Sequence, residues 1–367
     1  MIKKIFKITG IVLLILVLLL ILGIGIIFIV DKIEDSKAWD KLIQGGYVNT
    51  VSVNGHKMNV CIRGNKEAEY TVVSLEGLNS MANVVEMETA IEPLTDKYCF
   101  AFVDRAGYGL SEDTHEEQTV EQVVSDCRTA LTNAGVQSPY VLMGHSFGGV
   151  YASYWEMTYP DEVKAVIYLD PTQIGSLEDI SQMTEARHAD FMMYATVIAS
   201  KLGLDRIFFN TKEYTVNLQT DKQKEYAEAI WGLCPRTWTV CSEENNYAEN
   251  VRKTAELISP NDIPKLYIDA AAYTVEDIKA TMAYEKKIME EAGVSSDDMS
   301  IPESAIDETF AGYQKDFYEK NVKTYIDKLG NVTYVNIPGN HSIFKHKPEE
   351  VSKAIGEFLD KISSGSH

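Results

Sequence analysis

Basic residues are scarce in this chain relative to acidic ones. Its 367 residues include 34 lysines and arginines against 54 aspartates and glutamates, which gives a formal net charge of -20. An acidic surface repels phosphate backbones and argues against nucleic acid as a partner. The hydrophobic fraction of 45% and the charged fraction of 24% are ordinary for globular proteins. The composition therefore predicts a folded chain large enough for one α/β domain or two domains.

Cysteine is also sparse, and no two cysteines have the C-x-x-C spacing of metal or redox motifs. An odd total of five leaves at least one thiol unpaired. Two alternatives stay open: Cys234 and Cys241 close a small disulfide loop, or all five are free thiols. The sequence also has no internal repeat and no low-complexity tract.

Charge is absent from one long apolar run, residues 8–30, which follows Lys3, Lys4 and Lys7. At about 1.5 Å per residue this run spans a hydrocarbon core of about 30 Å. It exceeds the roughly 7–15 apolar residues of a signal peptide, and no small-x-small cleavage site follows it. We expect residues 1–30 to be an uncleaved membrane anchor and residues 31–45 a juxtamembrane linker. A cleaved signal sequence is the alternative.

The lysines before the apolar run indicate its orientation. Basic flanks stay in the cytoplasm, so the remaining chain is expected on the outer face of a single-pass cell membrane protein. The opposite orientation has weaker support, from Lys32 and Lys37 just beyond the span.

The chain after residue 45 alternates short β-rich runs with helical stretches. An Asn54-Gly55 turn between the first two runs predicts an antiparallel hairpin. The later runs follow β-α-β order, which predicts a mostly parallel sheet within residues 46–362. The predicted strands are Tyr47–Val53, Lys57–Ile62, Thr71–Leu75, Cys99–Val103, Tyr140–Met143, Ala165–Leu169, Lys265–Ile268 and Val332–Ile337.

Two long helical insertions interrupt this alternation. The first, at about residues 171–263, is rich in aromatic residues and is expected to form a helical cap over the carboxyl edge of the sheet. A second helical insertion, roughly residues 275–329, precedes the last strand. Structural packing helices are the alternative interpretation of both.

A serine on a predicted tight turn carries the chemistry. Gly144-His145-Ser146-Phe147-Gly148 fits the pattern G-x-S-x-G between a predicted strand and a predicted helix. A strand-turn-helix exposes the Ser146 hydroxyl above the sheet and turns the Phe147 amide toward a developing oxyanion. The sequence therefore predicts Ser146 as a nucleophile and Phe147 as one oxyanion donor. Leu78, after Gly77 in the loop that follows the third strand, is the expected second donor, with Asn79 next.

A serine hydroxyl needs a neighbouring base, and His341 is the expected one because it lies on the loop after the last strand. We expect His145 to be packed into the fold and His346, between two lysines, to be solvated.

The acid that orients His341 has more than one candidate. Asp170 stands at the end of the predicted sixth strand, and Asp269 follows the seventh, with Glu276 and Asp277 beyond it. No carboxylate stands a few residues past the seventh strand, where the more common arrangement has it. Asp170 is favoured, and Asp269 stays open. A turn-capping aspartate is the alternative role of Asp170.

Several segments in order resemble the α/β-hydrolase superfamily over about residues 46–359. The segments that carry the resemblance are Asp104-Arg105-Ala106-Gly107-Tyr108-Gly109-Leu110-Ser111, the Gly144–Gly148 elbow, and Gly339-Asn340-His341. The resemblance implies an eight-stranded α/β-hydrolase fold, a catalytic pair Ser146 and His341, and no metal or organic cofactor. Glu76 stands where a histidine is common in that superfamily.

These observations predict a serine hydrolase that cleaves a carboxylic ester, thioester or small amide through an acyl-enzyme. Its expected partners are a small acyl substrate and, through residues 8–30, the membrane. The anchor and the apolar cap suggest that the substrate is lipid-like. The alternatives are a short-peptide peptidase resembling proline iminopeptidases, and a non-catalytic binding protein on the same fold.

Overall fold

A computed structural model describes residues 2–174, 188–234, 236–293 and 305–365. One eight-stranded sheet runs through it. All eight predicted strands form, with ends that differ by a few residues at most. The strands are β1 (Thr50–Val53), β2 (His56–Gly64), β3 (Thr71–Leu75), β4 (Cys99–Val103), β5 (Tyr140–His145), β6 (Val163–Leu169), β7 (Lys265–Asp269) and β8 (Val332–Asn336).

The sheet is mostly parallel, as predicted. Its strand order is β1-β2-β4-β3-β5-β6-β7-β8. The hairpin β1–β2 and the pair β2–β4 are antiparallel, and every other neighbouring pair is parallel. Asn54 and Gly55 both have positive φ, at 44° and 95°, which suits the tight hairpin between β1 and β2.

The helices fall before, between and after the strands. Five lie ahead of β6: α1 (Ile2–Gln44), α2 (Asn83–Glu86), α3 (Glu88–Ile91), α4 (Val120–Asn133) and α5 (Gly148–Thr158). Between β6 and β7 are α6 (Phe191–Lys201), α7 (Asp205–Phe208), α8 (Lys212–Thr215), α9 (Asp221–Leu233) and α10 (Trp238–Leu257). The last five are α11 (Val275–Ala292), α12 (Glu308–Phe317), α13 (Lys323–Leu329), α14 (Ile343–His346) and α15 (Pro348–Ser363).

Strands β3 to β7 are buried on both faces of the sheet, whereas β1 and β8 at its edges are partly exposed. All five residues of β4 are buried, with Phe100 and Phe102 in one apolar cluster and Ala101 and Val103 in the other. Successive side chains of a strand point to opposite faces, so a continuous apolar run can serve two cores. This is why the strand appears in the sequence as an unbroken hydrophobic stretch.

Helix α1 is continuous from Ile2 to Gln44. The predicted juxtamembrane linker, residues 31–45, is therefore helical up to Gln44. Its apolar part is exposed, and the helix is long and apolar enough to cross a membrane or to be a signal sequence. Beyond the apolar part, α1 contacts α9: Lys41 Nζ lies 2.6 Å from Glu225 Oε1.

The insertion between β6 and β7 contains helices α6 to α10, where the sequence predicts the cap. Part of the predicted cap, residues 175–187 and residue 235, lies outside the described residues. Thr220 caps α9 in a reciprocal capping box with Gln223, and Thr237 caps α10 through Val240 N. Both caps stabilise helix starts that follow loop segments of the insertion.

Candidate active site

The parallel strands end together at one edge of the sheet. Gly144 is paired with Leu75, and His145 at the end of β5 is paired with Leu169 at the end of β6. The neighbouring β7 ends at Asp269. Residues that directly follow these strands are therefore held close together, which is where open α/β sheets bind ligands.

Ser146 sits in a sharp turn between β5 and α5. Its φ is 52°, in the left-handed region that non-glycine residues rarely adopt. The turn is closed by hydrogen bonds from Gly149 N (3.0 Å) and Thr172 N (2.9 Å) to Ser146 O. A Cβ on Gly148 would lie 2.1 Å from Leu75 O, so only glycine fits there. The G-x-S-x-G pattern thus folds into the predicted strained turn.

The loop after β3 passes directly over this serine. A Cβ on Gly77 would lie 3.2 Å from Ser146 Oγ and 2.8 Å from Ser146 Cβ. Leu78, the expected oxyanion donor, is the next residue in this loop and packs against the apolar cluster beneath the nucleophile turn. Phe147, the other expected donor, is buried and immediately precedes α5. The two predicted amides belong to segments that the structure brings against the serine.

His341 and Asp170 form a pair at the same edge. His341 Nδ1 lies 2.5 Å from Asp170 Oδ2. The other carboxylate oxygen, Asp170 Oδ1, accepts a hydrogen bond from Ala270 N at 3.1 Å. The backbone of Asp170 is left-handed, with φ of 40°, and its amide donates to Ile268 O at 2.8 Å. Asp170 is thus held on both sides by β7 and the residue after it.

Asp269, the other candidate acid, has different partners. Its carboxylate accepts hydrogen bonds from Tyr273 Oη and Tyr334 Oη, both at 2.7 Å, and from Ala271 N at 3.1 Å. Burial raises the pKa of Asp269 above its ordinary value, although the two tyrosines oppose that shift. The structure therefore brings Asp170, and not Asp269, to His341.

His341 lies beside the turn that carries Ser146. The rings of His145 and His341 have centroids 4.7 Å apart, so His341 lies beside the residue that precedes Ser146. Among the described residues no hydrogen bond joins Ser146 Oγ to His341. Catalytic hydrogen bonds in free enzymes are often longer than those in substrate complexes.

His145 supports the histidine loop. Its Nε2 lies 3.0 Å from His341 O. Burial lowers the pKa of His145 to about 3, with a smaller contribution from the nearby His341. A neutral His145 that carries its proton on Nε2 donates this hydrogen bond and holds the backbone of His341. The expectation that His145 packs into the fold is met, with a contact that the sequence did not reveal.

The expectation for His346 was wrong. Its Nδ1 accepts a hydrogen bond from Asn340 N at 3.2 Å, and its ring stacks on Tyr284 with centroids 3.6 Å apart. Burial lowers the pKa of His346, which keeps Nδ1 free to accept. The half-buried His346 therefore stabilises the turn that carries His341, and the neighbouring lysines do not make it a solvated residue.

A buried ion cluster lies under the loop between β3 and α2, which we call the oxyanion loop after its predicted role. Arg105, 1% exposed, lies 3.2 Å from the Glu76 carboxylate and 3.0 Å from that of Glu243. Its Nη1 also donates to Glu76 O at 2.6 Å and its Nη2 to Gly77 O at 3.1 Å. The guanidinium thus holds two successive carbonyls just before Leu78, which fixes the direction of the loop.

Burial raises the pKa of Glu76 to about 8, and the Arg105 charge opposes that shift. Tyr108 and Tyr151 complete the cluster by donating hydrogen bonds to Glu243. Glu243 belongs to α10, so the cluster joins the insertion to the loop beside the serine. Arg105 belongs to a motif that the sequence shows, but its contacts could not be predicted from that motif, and no local signal marks Glu243.

All five cysteines are buried and free, Cys234 and Cys241 included. The Sγ of Cys234 lies 3.2 Å from Gly107 O. The disulfide alternative for this pair is therefore wrong in this structure. In the part of the chain that the structure describes, no group of three or more His, Cys, Asp or Glu side chains is arranged to hold a metal ion.

Comparison with known proteins supports the fold. The family model "Serine aminopeptidase, S33" matches residues 66–225, which contain the oxyanion loop and the nucleophile turn. The fold matches an epoxide hydrolase mutant of Vigna radiata with a TM-score of 0.59 at 17% identity, over 85% of this chain and 98% of that one. The chain has the α/β-hydrolase fold. An epoxide hydrolase of Bacillus megaterium, in complex with its product, has a TM-score of 0.56 at 16% identity, over 85% of this chain and 100% of that one.

Relatives among curated proteins extend the comparison. The uncharacterized protein YbdG of Bacillus subtilis is 26% identical over 86% of this chain and 87% of its own length. The proline iminopeptidase PfmaB of Pestalotiopsis fici is 31% identical over 33% of this chain and 42% of its own length. The family model and these relatives indicate a hydrolase, and they leave its substrate class open.

Proposed function

We propose that this α/β-hydrolase is a serine hydrolase that cleaves a carboxylic ester, a thioester or a small amide through an acyl-enzyme. Ser146 is the nucleophile, His341 the base and Asp170 the acid that orients it. The observation that carries the proposal is the 2.5 Å contact between His341 Nδ1 and Asp170 Oδ2 next to the strained Ser146 turn. A nucleophile, a base and an orienting acid are the parts that such chemistry needs.

The proposed mechanism moves one proton at each step. Asp170 accepts a hydrogen bond from His341 Nδ1–H, so the proton of the neutral ring stays on Nδ1 and Nε2 carries the lone pair. That lone pair takes the Ser146 proton as Oγ bonds to the substrate carbonyl carbon, and the carbonyl electrons move to oxygen. His341 then protonates the leaving group as its bond to carbon breaks. Water, deprotonated by the same nitrogen, releases the acyl group and restores the serine.

The oxyanion is stabilised by two backbone amides in this proposal. The amide of Phe147 lies at the start of α5, where the helix dipole favours negative charge. The amide of Leu78 follows Gly77, whose carbonyl Arg105 holds at 3.1 Å. Donors that are fixed before the reaction need no reorganisation in the transition state, and each is worth about 3–4 kcal/mol in comparable enzymes. Arg105 is a positioning residue here because it acts through the loop.

Labelling with a fluorescent fluorophosphonate tests the proposal directly. The full-length chain, solubilised in detergent, is compared with Ser146→Ala, His341→Ala and Asp170→Asn. Asp269→Asn is the matched control, an aspartate at the neighbouring strand end. We expect no labelling of Ser146→Ala, slow labelling of His341→Ala and Asp170→Asn, and a near-normal rate for Asp269→Asn. A well-folded wild-type chain that does not label would favour the non-catalytic binding protein.

A short-peptide peptidase is the second candidate. The matched family model is described as a serine aminopeptidase, and PfmaB is named a proline iminopeptidase. In addition, α10 brings a carboxylate to the oxyanion loop, with Glu244 Oε1 3.0 Å from Asn79 Nδ2. A carboxylate there suits the amino group of a peptide. Chromogenic aminoacyl amides tested beside acyl esters separate the two candidates: preferential amide cleavage that Glu244→Gln abolishes would select the peptidase.

A further inference from the structure

Helices α6 and α7 carry large apolar side chains that face solvent. Phe191 is 81% exposed and Phe208 82%, and further exposed apolar side chains of this surface are Met192, Ile198 and Ile207. Met192 and Phe208 line one groove of about 600 Å³ between the two helices. Each Å² of apolar surface left in water costs about 25 cal/mol, so a patch of this kind marks an interaction site. We call these five residues the α6–α7 face.

The α6–α7 face lies beside the end of the apolar part of α1. Arg206 of α7 lies 2.5 Å from Asp31 Oδ1 through Nε and 2.6 Å from Asp35 Oδ1 through Nη2. The loop between α6 and α7 is equally close, since a Cβ on Gly203 would lie 2.5 Å from Asp31 Cβ. Asp31 is only 4% exposed, so these contacts are close packing and not a loose surface ion pair.

Asp31 is the first residue after the uncharged run that ends at Val30. At about 1.5 Å per residue along α1, Asp31 is level with the polar edge of any bilayer that the run spans. Helix α9 contacts this region with one end and a later part of α1 with the other. Its Gly232 O lies 3.5 Å from Arg206. Its Glu225 contacts Lys41, which is farther along α1 toward the folded domain. The loop between α6 and α7 is therefore at the membrane end of the α1–α9 contact.

We propose that the α6–α7 face docks on the bilayer that α1 spans. The partner of this face is a lipid surface. Arg206 and Gly203 contact Asp31, and Asp31 marks the level at which the hydrocarbon of the bilayer begins. The span holds this surface at a high effective concentration, so a small apolar patch is enough for stable contact. Interfacial segments of this type enter the headgroup and acyl boundary by about 5–10 Å. The proposal rests on α1 lying in a membrane, and it is independent of the serine chemistry.

Depth-dependent fluorescence quenching tests the docking. Variants of the full chain with one added, exposed cysteine, Phe208→Cys and Met192→Cys, are labelled with a nitrobenzoxadiazole dye and reconstituted in phosphatidylcholine vesicles. The lipids carry a doxyl quencher near the headgroup or near the end of the acyl chain. Leu19→Cys in the span is the membrane reference, and Lys353→Cys, an exposed position on α15, is the aqueous reference. The wild-type chain, whose cysteines are all buried, gives the labelling blank.

We expect quenching at positions 208 and 192 to be several-fold stronger than at position 353, and stronger with the shallow quencher than with the deep one. Position 19 should show the reverse depth preference. Quenching at 208 and 192 no stronger than at 353, with position 19 quenched, would overturn the proposal because the face would then stand clear of the lipid. An unquenched position 19 would overturn it as well, since α1 would not lie in the bilayer.

Discussion

The candidate active site has two halves, the His341–Asp170 pair and the cluster around Arg105, and they differ in their exposure to water. On one side, the His341 side chain is 57% exposed and its partner Asp170 22%. On the other side, Arg105 and its partners Glu76 and Glu243 are almost completely buried. Both halves contain charged or chargeable groups joined by short contacts, but only one of them opens to solvent.

The difference agrees with what each half has to do. A base that exchanges protons with substrate and water needs access to both. A loop that presents an amide to an oxyanion needs a fixed direction, which buried charge-assisted hydrogen bonds supply. The open half is therefore expected to respond to mutation mainly in catalytic rate, and the buried half mainly in stability.

The largest effect is expected from the acid of the open half. Asp170→Asn should reduce kcat by about 10⁴-fold toward a chromogenic acyl ester, because the amide no longer holds His341 in the tautomer that accepts the serine proton. Asp269→Asn, one strand away, keeps an oxygen acceptor for its tyrosine partners and should change kcat by no more than about tenfold. Equal losses in the two variants would remove the distinction between these aspartates. Steady-state kinetics on the detergent-solubilised chain measures both.

In the buried half the expected effect is on folding. Arg105→Met removes the cation between two buried carboxyl groups, the counter-charge beside Glu243 and the donor to Glu76, and should lower the free energy of unfolding by about 3–5 kcal/mol. The matched control is Arg128→Met, which breaks the partly exposed pair with Glu162 and should cost about 0–1 kcal/mol. Urea unfolding followed by circular dichroism compares the two. A cost for Arg105→Met no greater than that of the control would show that the cluster does not hold the loop.

The smallest effect is expected at His145, which lies between the halves. The pKa of His145 is about 3 in the folded chain, below the ordinary value of 6.5 that applies in the unfolded chain. Below pH 6.5 the unfolded chain therefore binds a proton that the folded chain does not. Stability from this group is present above pH 6.5 and is lost as the pH falls toward 3. From pH 6.5 to 5.5 the loss should be about 1 kcal/mol for the wild type.

His145→Gln keeps a donor to His341 O but cannot titrate. Its unfolding free energy should therefore fall less steeply over the same interval, and other groups that titrate in both chains cancel in the difference. Urea unfolding at several pH values gives the two curves. Parallel curves for the wild type and the variant would contradict the lowered pKa of His145.

Much of the fold and the centre of the site could be predicted from the sequence. The eight strands are short apolar runs, and such runs are local signals. The Ser146 turn depends on Gly148, two residues away, because a side chain there would strike Leu75 O. His341 was predicted from its place after the last strand. Its catalytic role, like those of Ser146, Asp170, Leu78 and Phe147, stays a prediction that the labelling experiment tests.

Partners far apart in the chain could not be predicted in the same way. Arg105 and Glu243 are 138 residues apart, and nothing near either one indicates the other. The same holds for His346, whose neighbouring lysines suggested solvent while its ring stacks on Tyr284 of α11. Such contacts depend on how two separate segments meet, and local patterns carry no information on that.

By itself, the sequence determined the elements that depend on neighbours along the chain: the apolar run of α1, the β-α-β order and the glycine-flanked serine. The sequence favoured Asp170 but left Asp269 open, and the tertiary structure decided which of these two aspartates, 99 positions apart along the chain, meets His341. Asp170 is turned to the histidine by the backbone of β7, and Asp269 is occupied by Tyr273 and Tyr334. The two carboxyl groups are chemically identical, so only the groups around them could distinguish their roles.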